Sequence, residues 1–532
     1  MKQLILKNSI FIYLLCFGIC NAQTLKDAIK LTDNEQFESA AKAYQVLIQN
    51  DPNNGNDYFH FGENSFKNDD WEMARKMYQK GIDVNATNPI NYVGIGKILW
   101  YQKNFTEAKT NFYKAATLSK SKDASVLMKT AEVYIKADTK NLPEAFKLLT
   151  QASALEPKNP EVYILLGDAY LEQNDGNQAI INYEKATDLD KTSVKAILRT
   201  GQLFGRAKNY SLALDHYKKA EKIDSTFAPA YREKAELYYK FNQFDKATAQ
   251  YKKYLALNDN YSARTRYASF LFLSKKYTEA INEIKEVQKL DTNNVVMYRL
   301  LGYSYYEAGD FPNGTINMNK FFDKATKQGT KIISSDYSYQ GKLLAKTGQD
   351  SLGVTKLLTA VETEQDSTKK PDLYSEIGST YYRSKKYVQA VIYFEKKITS
   401  SETPSATDYN NLGRAYFYSK DFVKADSAFS RITQLMPDLS LGYSWRARCN
   451  AQLDLKNEKW LAKPYYEQFI EKVKPEDIEK NKKDLIEANS YLGYYYFVKK
   501  DYTKSKSYWL KVKEYDPSNK QAKAALEDPN MK

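Results

Sequence analysis

The feature that most constrains this chain is an alternation of small and large residues that returns about every 34 residues. It is plainest in Pro160 to Asp190, PEVYILLGDAYLEQNDGNQAIINYEKATDLD. Tyr163, Leu166, Gly167 and Tyr170 fall at i, i+3, i+4 and i+7, on one face of a helix. Ala179, Tyr183 and Ala186 do the same in the second half, and the polar stretch Gln173 to Asn177 separates the halves as a turn. The unit reads as a helical hairpin. Gly within a helix costs about 1 kcal/mol relative to Ala, so Gly167 marks a close approach of two helices. One hairpin cannot bury its apolar face alone, whereas stacked copies can.

With Gly167 as position 8, that position is Gly at 62, 96, 167, 201, 302, 341, 378, 413 and 493, and Ala at 28, 131, 235, 268 and 447. Position 20 is Ala at 40, 74, 108, 145, 179, 213, 247, 280, 390, 425 and 462, with Gly314, Gly353 and Ser505 completing the series. Position 24 is always large: Tyr44, Tyr78, Phe112, Leu149, Tyr183, Tyr217, Tyr251, Ile284, Met318, Leu357, Phe394, Phe429, Tyr466 and Trp509. Copies four and thirteen carry a longer turn between their helices.

This pattern resembles the tetratricopeptide repeat family, with its small residue at 8, aromatic at 11, Ala at 20, aromatic at 24 and Pro near 32. Position 11 is Tyr134, Tyr170, Phe204, Tyr238, Tyr305, Tyr381, Tyr416 and Tyr496, and the closing Pro appears as Pro52, Pro157, Pro437 and Pro517. The resemblance spans about Gln23 to Asp528. It implies an all-α fold, a right-handed α-solenoid superhelix of about fourteen hairpins, and partner binding along a concave groove. Composition agrees: 45 Tyr with only 21 Gly and 14 Pro suits aromatic helical cores and argues against a β-rich or disordered chain. At 532 residues a single core would be unusually large.

Residues 1–22 read as a secretory signal: Lys2 and Lys7, an apolar run from Ile10 to Ile19, then Cys20-Asn21-Ala22 before the expected cleavage. Ten apolar residues span about 15 Å as helix, half a bilayer core, which argues against an anchor. The Ala-Gln junction resembles signal peptides of Bacteroidota, which would place the mature protein in the periplasm, in association with the outer membrane through its partners. Residues 23–325 form repeats one to nine, and 326–528 hold repeats ten to fourteen with a terminal capping helix. The 39-residue step from Gly302 to Gly341 puts a candidate kink at Lys324 to Ser335, and the charged segment Glu471 to Lys483 predicts a lengthened helix. The block Ala462 to Ile470 resembles C-terminal repeats of periplasmic tetratricopeptide proteins of Bacteroidota. Its Pro464 requires a helix that starts near Leu461.

Site chemistry is sparse. The mature chain keeps one cysteine, Cys449, so no intramolecular disulfide can form, and its place two residues after Ala447 predicts a buried thiol. His60 and His216 have no partner set, and no zinc spacing, phosphate loop or nucleophile elbow occurs. Asn50 to Gly55 opens like a calcium loop, but Phe61 stands where a bidentate Glu is needed. No metal or other cofactor and no enzymatic activity is expected. The net charge of +14 is spread as Lys among Glu and Asp, so nucleic acid is not an expected partner. Asp224-Ser225-Thr226, Asp350-Ser351-Leu352, Asp366-Ser367-Thr368 and Asp426-Ser427-Ala428 resemble a Bacteroidota O-glycosylation acceptor, and equally read as turn and surface residues.

The family resemblance implies that positions 2, 5, 9, 12 and 13 of each first helix face the groove. Lys195 and Arg199 match the final pair of a carboxylate clamp, while Met128, Glu132 and Leu165 depart from its earlier positions. Position 12 carries large rings: Phe66, Trp100, Tyr239, Phe272, Tyr306, Tyr382, Phe417 and Phe497, with Lys240, Arg299, Arg383, Arg414 and Arg448 nearby. Two arrangements are open. The rings pack against the neighbouring repeat, or they stand exposed as an aromatic and basic strip for extended peptides with acidic segments or for sugars. The function expected is a periplasmic scaffold or adaptor for protein partners in a cell-envelope assembly. The alternative is a chaperone or receptor for extended peptides or glycans.

Overall fold

The structure, a computed structural model, describes residues 24–531. Among them lie twenty-nine α-helices, three short 3-10 turns and no strand. Each helix packs most extensively on its neighbour in sequence, as stacked hairpins must. The packing divides into two units, one running to Leu290 and one starting at Asp291. The first holds eight hairpins; the second holds six and the closing helix Lys520–Leu526. The expected signal segment lies outside the described residues.

The repeat register is the core. All fourteen position-24 side chains are buried, from Tyr44, Tyr78 and Tyr183 to Trp509, and the position-20 alanines have no exposed surface. At every position-8 glycine, an added Cβ would meet the position-24 residue of the same repeat: Tyr78 for Gly62, Phe112 for Gly96, Met318 for Gly302, Trp509 for Gly493. Glycine is there because the ring needs the volume of a methyl group.

Local chemistry sets the hairpin ends. Asp70, Asp175, Asp310, Asp421 and Asp501, all at position 16, accept a backbone N–H of the following helix and cap it. The preceding residue takes a left-handed conformation in each: Asp69, Asn174, Gly309, Lys420 and Lys500. In the hairpin singled out above, that strained position is Asn174, at φ 65°, while Gly176 is already the first helical residue. The five extra residues after Gly302 go largely into Phe311–Gln328, one turn longer than the neighbouring second helices, which ends on left-handed Gly329. The segment 324–335 thus lies inside the second unit. Residues 471–483 feed the longest helix, Ile478–Val498, and Pro464 sits in the first turn of Lys463–Lys472. Cys449 is buried and free, its thiol pushed up to about 12 by burial.

Candidate functional site

The first helices of the first unit present a lattice of ion pairs, several between residues exactly one repeat apart. Lys67 holds Asp33 at 3.0 Å, Lys97 holds Glu63 at 2.9 Å, and Lys195 lies 3.5 Å from Glu161. Lys129 links Glu63 at 3.8 Å to Glu132 at 2.9 Å, and Arg199 pairs with Asp168 at 3.0 Å. The position-24 tyrosines reach up from the core into this lattice: Tyr78 donates to Glu63 at 2.6 Å and Tyr183 to Asp168 at 2.7 Å. Burial alone would raise the Glu63 carboxyl, yet Lys97 and Lys129 hold it below the usual carboxylate range. Asp33 is likewise pulled down by Lys67 and Lys195 against its burial.

The same unit closes a polar clasp between its first hairpin and hairpins six and seven. The inter-helix turn of the first repeat supplies Asp33, Asn34 and Glu35. Lys195 reaches Asp33 at 2.9 Å, Asn34 donates to Thr226 at 3.0 Å, and Glu35 takes Arg232 together with the Tyr254 hydroxyl at 2.9 Å. Lys30 adds a salt bridge to Asp224 at 3.0 Å. A cavity of about 290 Å³ lies against this clasp, walled by Lys129, Glu132, Lys195, Arg199, Arg232 and their partners. A second, of about 480 Å³, shares Lys136, Asp168, Arg199 and Gln202 with it and reaches Glu236 and Lys240.

The position-12 rings pack, and chiefly on a partner the sequence reading did not consider. Each packs, stacked, tilted or edge-on, against the ring five residues later, the first residue of the second helix. The pairs are Phe66 with Trp71, Trp100 with Phe105, Tyr239 with Phe244, Phe272 with Tyr277, Tyr306 with Phe311, Tyr382 with Tyr387, Phe417 with Phe422 and Phe497 with Tyr502, at centroid distances of 4.7–6.1 Å. Neighbouring repeats add a further wall, as Tyr101 does for Phe66 and Tyr134 for Trp100. The exposed-strip arrangement is therefore corrected: Trp100 is buried and donates to the Thr139 carbonyl at 2.9 Å, and of the eight rings only Tyr239 is exposed. An aromatic residue at position 17 was a legible signal for this seam.

Most of the expected cations are also engaged. Arg199, Arg299 and Arg448 are half-buried and each holds a carboxylate, as do Arg232, Arg264, Arg266 and Arg446, which the sequence did not single out; Arg299 takes Asp336, and Arg448 takes Asp484 and Glu487. Arg383 sits 3.7 Å from Asp350, and Lys240 is exposed beside the larger cavity. The exception is Arg414. It is half-buried between Tyr382 and Trp445, has no salt bridge, and its buried Nε has no acceptor. The clamp-like earlier positions, Met128 and Leu165, are buried in packing.

A face of first-helix side chains laid side by side over a stack of hairpins defines a helical-repeat solenoid with extended faces for association rather than a single deep pocket. Family models described as tetratricopeptide repeat match residues 91–122, 137–193 and 232–295. The C-terminal part of a tetratricopeptide repeat-containing protein from Cytophaga hutchinsonii is 38% identical, over 49% of this chain and 99% of that one, with a TM-score of 0.45. A tetratricopeptide repeat protein from Parabacteroides merdae is 17% identical over 49% of this chain and 99% of its own, TM-score 0.31. One from Thermus thermophilus is 22% identical over 35% of this chain and 99% of its own, TM-score 0.31. No protein of curated function matches significantly. The chain belongs to the tetratricopeptide repeat family.

Proposed function

We propose that this protein is a non-catalytic scaffold that holds partner proteins along its first-helix faces, after export to the periplasm, as part of a cell-envelope assembly. Tetratricopeptide repeats generally mediate protein–protein interaction. The observation that carries the reading is the division of labour within each hairpin. Positions 8, 20 and 24 are consumed by the core, while polar side chains at positions 2, 6, 9 and 13 of successive first helices stand beside one another, some buried in ion pairs as Glu63 and Lys97 are and others reaching solvent as Lys67, Lys136 and Lys195 do. Such a surface offers many spaced polar contacts to another chain. Export is supported by the pattern of residues 1–22, and no described helix is long and apolar enough to cross a membrane.

Site-specific photo-crosslinking in the native envelope tests the scaffold reading. One stoichiometric protein crosslinked from the first-helix faces supports it. Many unrelated peptides would favour a chaperone or receptor instead. Sequencing of the mature N-terminus tests export, with a start at Gln23 expected.

A further inference from the structure

We propose that the edge of the second unit formed by the inter-helix turns of repeats eleven to fourteen docks on an anionic lipid surface. The inference goes beyond the protein-binding reading above and does not depend on it.

The four turns lie side by side. Tyr387, just after the turn of repeat eleven, stacks on Tyr418, just before that of repeat twelve, at 5.3 Å. Asn450 donates to Asp426 at 3.0 Å and ties hairpin thirteen to hairpin twelve. Trp460, in the turn of repeat thirteen, packs on Tyr494 and Tyr495 of the next first helix at 5.7 and 4.9 Å.

Each turn puts lysine and an aliphatic side chain into water. Repeat eleven has Lys385 and Lys386 with Val388, 63% exposed, and repeat twelve has Lys420 with Val423, 62% exposed. The longer turn of repeat thirteen sets Leu455, 74% exposed, and Leu461 beside Lys456 and Lys459; repeat fourteen has Val498 with Lys499 and Lys500. None of these lysines has a salt bridge among the described residues. The aspartates of the turns are already engaged. Asp421 and Asp501 cap second helices, and Asp454 accepts the backbone N–H groups of Glu458, Lys459 and Leu461 at 2.9–3.3 Å, which fixes the loop that carries Leu455. Glu458 is the one acid of these turns left to oppose the lysines. The combination is confined to this part of the chain: position 18, which is Val388 and Val423 here, is never Val, Leu or Ile in the first unit, where Glu38, Glu72 and Asp245 stand.

The partner's chemistry follows from the mixture. It must be negative over several repeats, to match lysines that nothing in the chain neutralises, and it must also accept aliphatic tips. Lysine is depleted from the centres of protein interfaces, and binding to a nucleic acid backbone makes no use of exposed aliphatic side chains. A membrane interface takes both, since the aliphatic tips enter the headgroup boundary while the lysine stems bend their ammonium groups to lipid phosphates. The tips are spaced one or two to a repeat among lysines, rather than joined in one apolar patch for a protein to cover.

The test uses the full-length chain, as processed and purified from its native host, in vesicle sedimentation. The wild type should bind phosphatidylcholine vesicles containing about a third phosphatidylglycerol at least about tenfold more tightly than pure phosphatidylcholine, and should release them as salt rises. Lys456→Gln, Lys459→Gln and Lys499→Gln together should weaken that binding at least about tenfold. Lys103→Gln, Lys208→Gln and Lys275→Gln together, the same change of net charge in first-unit turns, should leave it within about twofold. Leu455→Asn with Val423→Asn should weaken it about threefold or more, which a purely ionic contact would not show. All these side chains are exposed, and an unchanged melting temperature checks that each variant is folded. Equal binding to both kinds of vesicle, undiminished binding by the second-unit lysine variant, or an equal loss in the first-unit control overturns the proposal. So does lysine-dependent binding that Leu455→Asn with Val423→Asn leaves unchanged, the behaviour of a surface built for an acidic protein or a nucleic acid. Crosslinking from the first-helix faces tests the scaffold reading separately, and either result stands without the other.

Discussion

A Cβ placed on Gly167 would stand 2.3 Å from Cε1 of Tyr183. The ring cannot swing aside, because it is fully buried and its hydroxyl donates to Asp168. One residue without a side chain thus lets a core tyrosine reach from the second helix to the polar face of the first. The same pairing recurs between Gly201 and Tyr217, and between Gly413 and Phe429.

Gly167→Ala should therefore destabilise the protein by about 1–3 kcal/mol, the cost of overpacking exceeding the helix-propensity gain of about 1 kcal/mol. Gly176→Ala is the control. Its Cβ would meet only Leu203, at 3.8 Å, so it should be neutral or stabilise by up to about 1 kcal/mol. Chemical denaturation of both variants measures the contrast, and equal effects would refute the register.

The ring seam predicts a second contrast. Trp100→Ala should cost about 3–5 kcal/mol of folding stability, since it empties a buried site walled by Phe105 and Tyr134. Tyr239→Ala, at a half-open site, should cost much less. Thermal melting distinguishes them, and a Trp100→Ala protein that melts like the wild type would return that ring to the list of free groove residues.

The clasp of the first unit is made of charges and hydrogen bonds, so it should weaken with salt. Glu35→Gln leaves Arg232 with Glu233 alone, at 3.3 Å, and should loosen the clasp by about 1–3 kcal/mol. Hydrogen exchange at residues 30–36 and 224–232 reads this directly. Exchange there should rise in the variant and, in the wild type, at high salt; unchanged protection in both would show that the polar contacts do not hold the clasp.

His60 predicts a pH dependence. Burial lowers its pKa to about 4 from an ordinary 6.5, and the Lys129 and Lys67 charges act in the same direction. The unfolded chain then binds the proton more readily than the folded one, so stability rises with pH across this interval. The contribution is fully present above about 6.5 and is lost as pH falls towards 4, by up to about 3 kcal/mol. The depressed carboxylates, such as Asp33, titrate lower and act below that window. His60→Gln should flatten the melting temperature between pH 4.5 and 6.5, and an unchanged slope would assign it to other groups.

Much of this was legible before any coordinates. Gly167, Ala179 and Tyr183 at fixed spacing state a packing relation between two helices of one hairpin, and its repetition states the fold, because each contact is local in sequence. The lengthened helix Ile478–Val498 and the buried Cys449 follow from the same local reasoning. Even the ring seam was within reach, since Phe66 and Trp71 are only five residues apart.

What the tertiary structure alone decided lies at longer range. Nothing in the spacing of Glu35, Arg232 and Tyr254 says that they meet, because that contact depends on the rotation accumulated over seven hairpins, each contributing a small angle no single repeat reveals. For the same reason the sequence could place Arg414 among five similar cations near the groove but could not separate them. Arg448 and Arg299 find their carboxylates in the next repeat, while Arg414 lies between Tyr382 and Trp445 with no carboxylate in reach, and pairing across repeats is a property of the stack rather than of the unit.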